Sequence, residues 1–590
     1  MSHSIHLREL EAAGLVSLVS VLPEVEYLFR HTLIQEAAYG SLLKSDRQAL
    51  HKLTGLVLEA HYQDREEEIA PILAQHFHTA GDNERALKYF IQSGDKAMAT
   101  YAIQEAIEHY KFALDIAKQT PASLKVLKRL FLKLGSAYEL NAQYELGLEN
   151  YQEMEVLATE RRDDGMKLAA IVSRAKVYAT PSASHNADKV QALSKQALEL
   201  AEKTGDKTAQ TRIHWILSLL YARTGRFLDS IMQGEKAIVL ARELENRELL
   251  AYSLHDVSQS YVSTNQFKKG YEAITESQNL WRALGNLPML VDNLSTMIAY
   301  NYFKGELDHA LSNYEEALSL SEMIGNLWGQ AYCRMYIGSI YYDRGHPEEA
   351  MQTMKKCIEL AKEAGFIVPS LETQAELGMV YAYLGESERG LEIINAALEN
   401  SGQEIGGWDA LAKSIKARVH IERCEFEEAR KLMRSAEVIF QQGDPLGFAR
   451  IYFLGIQCEL AIAEKDYEKA LELFHLFTKE EILTDVRVFK PWLDYMRGIT
   501  LLRLGELEIA QDTLVTALNE AENMQMRRIL WQTQSALAEV AEKRGQIDEA
   551  KRFRTKAQDI VNYIAARIGN EELRDSFLNR PDVIALWETK

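Results

Sequence analysis

The chain has 590 residues, of which 47% are hydrophobic and 26% are charged, and its formal net charge is −19. This composition excludes a disordered chain, because it supplies enough apolar side chains to bury a large core. The excess of carboxylates argues against nucleic acid as a partner, since phosphate binding requires clustered lysine and arginine. No apolar run approaches the roughly 20 residues that span a bilayer, so we expect no membrane contact and a cytoplasmic location.

The first 62 residues are predicted to form a small segment that differs from the rest of the chain. Its predicted elements are a helix over 7–13 that ends at Gly14, strands over 15–21 and 26–29 around a turn at Pro23-Glu24, and helices over 32–42 and 46–62. Lysine and arginine do not outnumber the acidic residues here. We therefore interpret the segment as a structural cap rather than a DNA-binding element.

A pattern with a period of 40 residues continues from near Asp82 almost to the end of the chain. Its anchor column consists of Tyr178, Ser218, Ser258, Ile298, Gly338 and Gly378 and, after a one-residue slip, Ala417, Cys458, Gly498 and Ala538. A turn column seven residues later consists of Gly225, Asn265, Gly305, Gly345, Gly385, Gly505 and Gly545. A fixed period of this length indicates a stack of similar units rather than one globular core.

Each unit of the pattern predicts two antiparallel helices. In residues 286–325, one helix precedes the stop at Gly305 and a second helix follows it. Glycine supplies the left-handed backbone that ends a helix. Small residues two turns apart, such as Ala310 and Ala317, let the paired helices approach closely. About a dozen such pairs are predicted between Asp82 and Ile568.

This pattern resembles the tetratricopeptide (TPR) repeat, although its unit is longer than the usual length of about 34 residues. The stretch FRHTLIQEAAYGSLL at 29–43 resembles the junction between winged-helix and TPR regions in bacterial STAND-type ATPases, often fused to class III adenylate or guanylate cyclases. AQHF at 74–77 and LRDSFL at 573–578 resemble later parts of those arms. The resemblance implies an all-α, TPR-like α-solenoid with a small winged-helix remnant at its N-terminus.

The predicted domains follow from this resemblance and from the limits of the pattern. They are a partial winged-helix remnant with junction helices over 1–62, a TPR-like superhelical repeat domain over 63–568 and a C-terminal tail over 569–590. The resemblance leads us to expect that the chain starts in the middle of the winged helix of the resembled family. It is thus either a protein in its own right or a fragment of a larger ATPase or cyclase.

Two local features lead to separate predictions. Cys357, Cys424 and Cys458 fall in or beside columns of small residues, so we predict that they are buried and reduced. The segment 180–185 carries Pro181 where a compact turn is expected, which predicts the end of a helix. This segment is either a loop insertion or a hinge that contacts a partner.

Catalytic motifs are missing from the sequence. It contains no G-x-x-x-x-G-K-[ST], H-E-x-x-H, G-x-S-x-G or G-x-G-x-x-G motif and no cysteine–histidine spacing typical of zinc sites. No catalytic, cofactor-binding or metal-binding residue is therefore predicted. The nucleotide hydrolysis and cyclase activities of the resembled family are assigned to no residue of this chain.

A partner-binding groove is predicted on the first helix of each pair, because first helices line the concave face of TPR arrays. The candidate groove residues, one turn before or after the anchor column, are Trp215, Tyr252, His255, Gln259, Tyr302, Tyr332, Ser339 and Tyr342. Aromatic side chains there give large contact areas at low entropic cost, as in a peptide groove. The alternative is that they pack between neighbouring repeats.

The repeat pattern predicts a non-catalytic scaffold that binds a protein or peptide partner, and the resemblance implies that it is a scaffold or sensor arm of a bacterial signalling protein. One alternative is a small-molecule-sensing arm of a STAND ATPase or cyclase, which a resemblance to the arm of the maltose-regulon activator permits. A second alternative is an enzyme with an undetected motif.

Overall fold

The computed structural model describes residues 2–20, 26–120, 123–180, 182, 184–264, 266–400, 407–441, 447–479 and 486–588. The predicted turn at Pro23-Glu24, Pro181 and Asn265 lie outside the described residues. The chain divides into two compact units, which we call unit 1 (Met1–Leu200) and unit 2 (Ala201–Lys590). None of the described helices is both long enough and apolar enough to cross a membrane.

Unit 1 begins with two antiparallel strands, paired from Val16 opposite Phe29 to Ser20 opposite Glu26. Its elements are α1 Ser2–Ala12, β1 Val16–Ser20, β2 Glu26–Phe29, α2 Thr32–Ser41, α3 Lys44–His61, a 3-10 turn Gln63–Arg65, α4 Glu66–Ala80, α5 Asn83–Ala99, α6 Ile103–Gln119, α7 Leu124–Leu140, α8 Tyr144–Arg161, α9 Asp164–Ala179 and the greater part of α10 Ala187–Thr204. The predicted order of helices and strands over residues 2–61 is confirmed. Its identity as a partial winged helix stays a prediction.

Unit 2 contains nine helix pairs in the described residues, followed by two short helices. Its helices are α11 Lys207–Arg223, α12 Phe227–Glu243, α13 Arg247–Ser263, α14 Phe267–Leu284, α15 Leu287–Lys304, α16 Leu307–Met323, α17 Leu327–Arg334, α18 Ile337–Asp343, α19 Pro347–Glu363, α20 Ile367–Tyr383, α21 Ser387–Asn400, α22 Gly407–Glu422, α23 Phe426–Gln441, α24 Gly447–Ala463, α25 Tyr467–Lys479, α26 Lys490–Leu504, α27 Leu507–Asn523, α28 Arg527–Lys543, α29 Ile547–Ala565, α30 Glu571–Leu578 and α31 Pro581–Ile584. The fourth pair has a divided first helix, α17 and α18.

The predicted helical repeat is confirmed. Counted in chain order over the described residues, α5 to α29 form twelve pairs, and the chain is a TPR-like helical-repeat protein. The turn column lies between the two helices of a pair: Gly305 has φ of 76°, its N–H bonds to Tyr302 O, and the N–H of Glu306 bonds to Asn301 O. These bonds satisfy the last carbonyl groups of α15. The glycine column therefore ends the first helices.

Cys424 corrects one prediction. It is exposed, not buried, and its φ is 61° in the turn between α22 and α23. After the one-residue slip, the turn column falls on this cysteine, so it takes the place that glycine has in neighbouring pairs. Cys357 and Cys458 are buried free thiols, as predicted. Burial raises the pKa of the Cys357 thiol to about 12, which keeps it protonated.

A second column with the same period, absent from the sequence predictions, starts the first helices. The caps are Asp206, Asn246, Asn286 and Asn326, and each accepts a hydrogen bond from the backbone N–H three residues later, at 2.9, 3.0, 3.3 and 3.0 Å respectively. A side-chain cap of this kind stabilises a helix by about 1 kcal/mol. The repeat is thus fixed at both ends of its first helix.

Gly390, one of the small residues that recur on the second helices, permits a very close approach of two paired helices. A Cβ atom on Gly390 of α21 would lie 2.4 Å from the carbonyl oxygen of Gly378 on α20. A Cβ atom on Gly147 of α8 would meet nothing nearer than Tyr138 Cβ at 3.7 Å. The two glycines have the same place in the repeat but different surroundings.

Alanine at these two glycines should therefore have opposite effects. Gly390→Ala should lower the free energy of unfolding by about 1–3 kcal/mol, because a backbone carbonyl has to move. Gly147→Ala should raise it by up to about 1 kcal/mol, because alanine favours the helix. Urea unfolding of both variants measures the difference. Equal effects would contradict the close contact between α20 and α21.

Unit 2 closes on itself, because its last pair and the tail pack against its fourth and fifth pairs. Arg528 Nε of α28 donates to Asp343 Oδ1 of α18 at 2.8 Å. Trp531 Nε1 donates to the hydroxyl of Tyr383 on α20 at 3.0 Å. Phe577 of α30 is fully buried in the apolar cluster that these pairs share. Residues almost 200 positions apart in sequence are thereby in contact.

Two more contacts extend this closure. The backbone N–H groups of Arg487 and Val488 both bond to Phe303 O of α15, at 2.7 and 3.1 Å. The Ser576 hydroxyl donates to Glu386 Oε1 at 2.7 Å. The described part of the predicted tail, 569–588, thus belongs to the same compact unit as α11 to α29. The domain boundaries after residues 62 and 568 stay predictions.

Candidate functional site

The closed part of unit 2 surrounds a cavity of about 270 Å³. Its lining comes from the first helices of six successive pairs and from the tail. The lining residues are Tyr342, Met379, Tyr383, Arg418, Ile421, Glu422, Glu459, Ile462, Ala463, Trp492, Tyr495, Met496, Ile499, Arg528, Gln532 and Arg580. First helices supply the lining. One face of each first helix carries the small residues of the anchor column and packs against the second helix, and another face of the same helix is directed to the interior of unit 2.

Three guanidinium groups line the cavity, and each lies over an aromatic ring. The distances from Cζ to the ring centroid are 4.7 Å for Arg418 over Trp492, 4.9 Å for Arg528 over Tyr342 and 5.0 Å for Arg580 over Tyr383. Cation–π contacts of this kind are stronger where water is excluded. The rings and the arginines together form a wall that is both flat and charged.

Two of these arginines are also tightly paired with carboxylates. Arg528 directs Nε and Nη2 to Asp343 Oδ1, each at 2.8 Å. Arg580 directs Nε and Nη2 to the two oxygens of Asp582, each at 3.0 Å, and donates from Nη1 to the carbonyl oxygen of Tyr383. Both side chains therefore hold the closure together, as well as lining the cavity.

The two carboxylates that line the cavity, Glu459 and Glu422, are less well satisfied. Arg418 Nε lies 2.9 Å from Glu459 Oε2, but the pair lacks hydrogen-bond geometry, so both atoms are buried without a hydrogen-bond partner. Glu422 has no cation within ion-pair distance among the described residues. Burial raises the pKa of Glu422, while Arg580 and Arg418 act in the opposite direction. These two carboxylates therefore keep acceptor capacity that the protein does not use.

Two more carboxyl groups lie one turn apart on α20, beside the cavity. Glu372 is buried, and burial together with the neighbouring Glu376 raises its pKa well above the ordinary value. Burial and Asp343 raise the pKa of Glu376 to about 7, although Arg418 and Arg528 oppose this. Like charges in a desolvated place cannot both ionise easily. The interior of unit 2 therefore holds protons that an unfolded chain would release.

This arrangement predicts a pH dependence with a definite sign. The folded pKa of Glu376 is above the unfolded value, so the folded protein binds more protons between about pH 4.5 and pH 7. The stability from this carboxyl group is thus complete below that range and is lost as the pH rises through it. Glu376→Gln should raise the melting temperature relative to the parent protein, increasingly so from about pH 5 to pH 8.

The control for this measurement is Glu392→Gln, which removes an exposed carboxylate from α21 in the same helix pair. Its melting temperature should follow that of the parent protein at every pH. If Glu376→Gln also follows the parent curve, the carboxyl group of Glu376 is ionised in the folded protein near neutral pH and the sign argument does not hold.

Of the eight predicted groove residues, Tyr342 lines the cavity. Ser339 is buried on the same helix, and its hydroxyl is without a partner. Tyr302 is buried and stacks on Tyr336, with ring centroids 5.3 Å apart. Tyr332 packs on the ring of Trp328 at 5.2 Å. Partner binding by these residues stays a prediction.

The other four predicted residues lie on α11 and α13, away from the residues that line the cavity. The rings of Trp215 and Tyr252 are 4.9 Å apart, and Trp215 Nε1 donates to Asp256. His255 Nε2 lies 3.5 Å from Asp292 Oδ2, and burial raises the pKa of Asp292 to about 6. Gln259 is exposed on α13. The structure thus divides the predicted groove into separate places.

Sequence reasoning missed most of the cavity wall. A usable signal exists: the position directly after the anchor column supplies Met379, Arg418, Glu459 and Ile499. A charged residue in the middle of an apolar helix is expensive to bury, so Arg418 and Glu459 could have been marked. No periodic signal identifies Arg580, because the tail lies beyond the repeat.

Comparisons with known proteins leave the family of the chain open. No protein-family model matches the chain. A segment of 119 residues is 32% identical to an uncharacterized protein of Rhizobium meliloti (strain 1021). The match covers 19% of this chain and only 12% of that protein's length.

Among solved structures, the chain is similar to a Rap protein complexed with Competence and Sporulation Factor, with 13% identity and a TM-score of 0.43 over 60% of this chain and 97% of that one. It is also similar to the apo form of RapI, with 12% identity and a TM-score of 0.36 over 47% of this chain and 98% of that one. Yeast Tom70 is similar with 14% identity and a TM-score of 0.31, over 85% and 99% of the two chains.

Proposed function

We propose that this protein is a non-catalytic scaffold that binds a peptide segment of a partner protein in the cavity of unit 2. The observation that carries the proposal is the cavity itself, which six successive first helices line with aromatic, apolar and charged side chains. Buried aromatic and arginine side chains are the groups that contribute most to binding energy in protein interfaces.

The size of the cavity suits a short segment of a partner. Its volume of about 270 Å³ lies just below the range of roughly 300–1,000 Å³ that is usual for small-molecule pockets. One or two residues of an extended peptide fit such a space, and the flanking residues would lie outside it. A rigid, preformed wall lowers the entropic cost of ordering the site on binding.

The biological setting that we propose is a sensor arm of a bacterial signalling protein, such as a STAND-type ATPase or a cyclase. In this setting, binding in the cavity would change the contacts that the last pair and the tail of unit 2 make with its fourth and fifth pairs, and this change would be the signal. A small-molecule-sensing arm is the second candidate, and the same observation favours it, because a cavity with paired charges and rings also suits a compact polar ligand.

Display selection with random peptides on the whole purified chain tests this proposal. Ala463 lines the cavity, so we use Ala463→Trp as a variant with a blocked cavity, because the larger side chain would fill the space. The control is Ser319→Trp, at an exposed position of α16. Selected peptides should bind the parent protein and the control, and binding to the blocked variant should be lost.

Three outcomes would contradict the proposal. Peptides that bind the blocked variant equally well would place binding elsewhere. Stabilisation by sugars or nucleotides, without any selected peptide, would favour the small-molecule arm. Turnover of nucleotides or esters by the parent protein, absent in the blocked variant, would make the protein an enzyme.

A further inference from the structure

One charged group that lines the cavity has no ion-pair partner. The lining contains Arg418, Arg528 and Arg580, whose ion-pair partners are Glu459, Asp343 and Asp582 respectively, and it also contains Glu422. Each arginine already has an acidic neighbour within 3.0 Å. The unmatched group is therefore the carboxylate of Glu422.

Glu422 is placed where a ligand could reach it. It is the last residue of α22, it lines the cavity, and its side chain is exposed there although protein surrounds it. Arg418 and Arg580 are close enough to act on its charge but form ion pairs with Glu459 and Asp582 instead. An exposed carboxylate that faces a cavity and has no cation partner is available to a positively charged group of a ligand.

A separate observation also indicates a missing ligand. Tyr342, which lines the same cavity, is only 6% exposed, and its hydroxyl has no hydrogen-bond partner. Buried polar groups in folded proteins are nearly always satisfied by protein, water or ligand. The Oε2 atom of Glu459, which also lines the cavity, is likewise without a hydrogen-bond partner. Two lining residues therefore have hydrogen-bonding capacity that the protein does not use.

We infer that the cavity recognises a positively charged group of a peptide, which Glu422 and Glu459 bind while Trp492 and Tyr495 hold its apolar stem. An arginine or lysine side chain has this chemistry: a cationic end for the carboxylates and a methylene chain for the rings. The inference rests on the proposed function and specifies its partner as a basic peptide segment.

The test uses three capped pentapeptides that differ only at the middle residue: Ala-Tyr-Arg-Tyr-Ala, its citrulline analogue and its glutamate analogue. Citrulline keeps the shape of arginine but carries no charge. The affinity of each peptide for the full chain is measured by calorimetry or fluorescence anisotropy. The arginine peptide should bind at least about tenfold more tightly than either analogue, because it alone can form an ion pair with a carboxylate of the cavity.

Two variants connect this preference to one residue. Glu422→Gln should reduce the advantage of the arginine peptide over the citrulline peptide to less than about threefold. Glu437→Gln removes an exposed carboxylate from α23 in the same helix pair and should leave the advantage unchanged. In Glu422→Lys the glutamate peptide should become the preferred one of the three.

The outcomes separate this inference from the proposed function. If display selection yields cavity-dependent peptides without basic residues, or if Glu422→Gln keeps the full arginine preference, the inference is overturned and peptide binding stands. If selection yields no cavity-dependent peptide and none of the three pentapeptides binds, both fail. Tighter binding of the glutamate peptide to the parent protein would overturn the charge assignment alone.

Discussion

Replacing Arg528 with methionine should lower the free energy of unfolding of the protein by about 3–5 kcal/mol. Arg528 and Asp343 are both more than nine-tenths buried, and their side chains approach to 2.8 Å. The substitution leaves the Asp343 carboxylate buried without its cation, which is far more costly than the loss of an exposed pair. Unfolding in urea, followed by circular dichroism, measures the change.

A double variant and a surface pair serve as controls. Arg528→Met combined with Asp343→Leu should recover most of the loss, because an apolar pair can replace a buried ion pair. Arg282→Met breaks a two-bond ion pair with Glu316 on the surface and should cost at most about 1 kcal/mol. If the double variant is as unstable as the single one, the shape of Arg528 matters more than its charge.

Ala317→Arg should destabilise the protein by a similar amount, about 3–5 kcal/mol. Ala317 is fully buried in an apolar cluster to which both helices of the third pair of unit 2 contribute. An arginine there either buries an unpaired charge or separates α15 from α16, and both are expensive. Thermal unfolding, followed by calorimetry, measures the loss.

Ser319→Arg is the matched control, because position 319 is exposed on the same helix. It should change the free energy of unfolding by no more than about 0.5 kcal/mol. An unchanged melting temperature in Ala317→Arg would mean that the small-residue column does not mark the contact between paired helices. The assignment of the repeat would then be wrong by at least one position.

The repeat was predictable because it depends on local chemistry. Gly305 ends a helix, Ala310 and Ala317 let two helices meet, and these needs recur every 40 residues. Helix ends and pair contacts are decided within one unit, so one sequence is enough to identify them. Cys424 shows the limit even here, since a slip of one residue moved a cysteine from an expected buried column into an exposed turn.

The cavity was mostly not predictable, because it depends on small rotations summed over many units. Whether Arg528 meets Asp343 depends on the rotations between neighbouring pairs, summed over six successive pairs, and no local sequence pattern encodes that sum. Tyr342 was identified because it lies on a first helix near the anchor column. Arg580 and Glu422 line the cavity only because the last pair and the tail pack against the fourth and fifth pairs. The 40-residue pattern does not reveal this packing.

The return of the chain also changes how unit 2 should come apart. In an open solenoid each repeat is supported by its immediate neighbours, so unfolding spreads inward from the ends. The bonds from α28 to α18 and from residues 487–488 to α15 instead tie distant repeats into one cooperative block. Mechanical pulling on the chain should therefore extract α11 to α14 at low force and then meet a single large barrier. Arg528 and Asp343 are 185 residues apart in sequence. Because a contact over such a distance requires the closure of a long loop, we expect this contact to form late and slowly in folding.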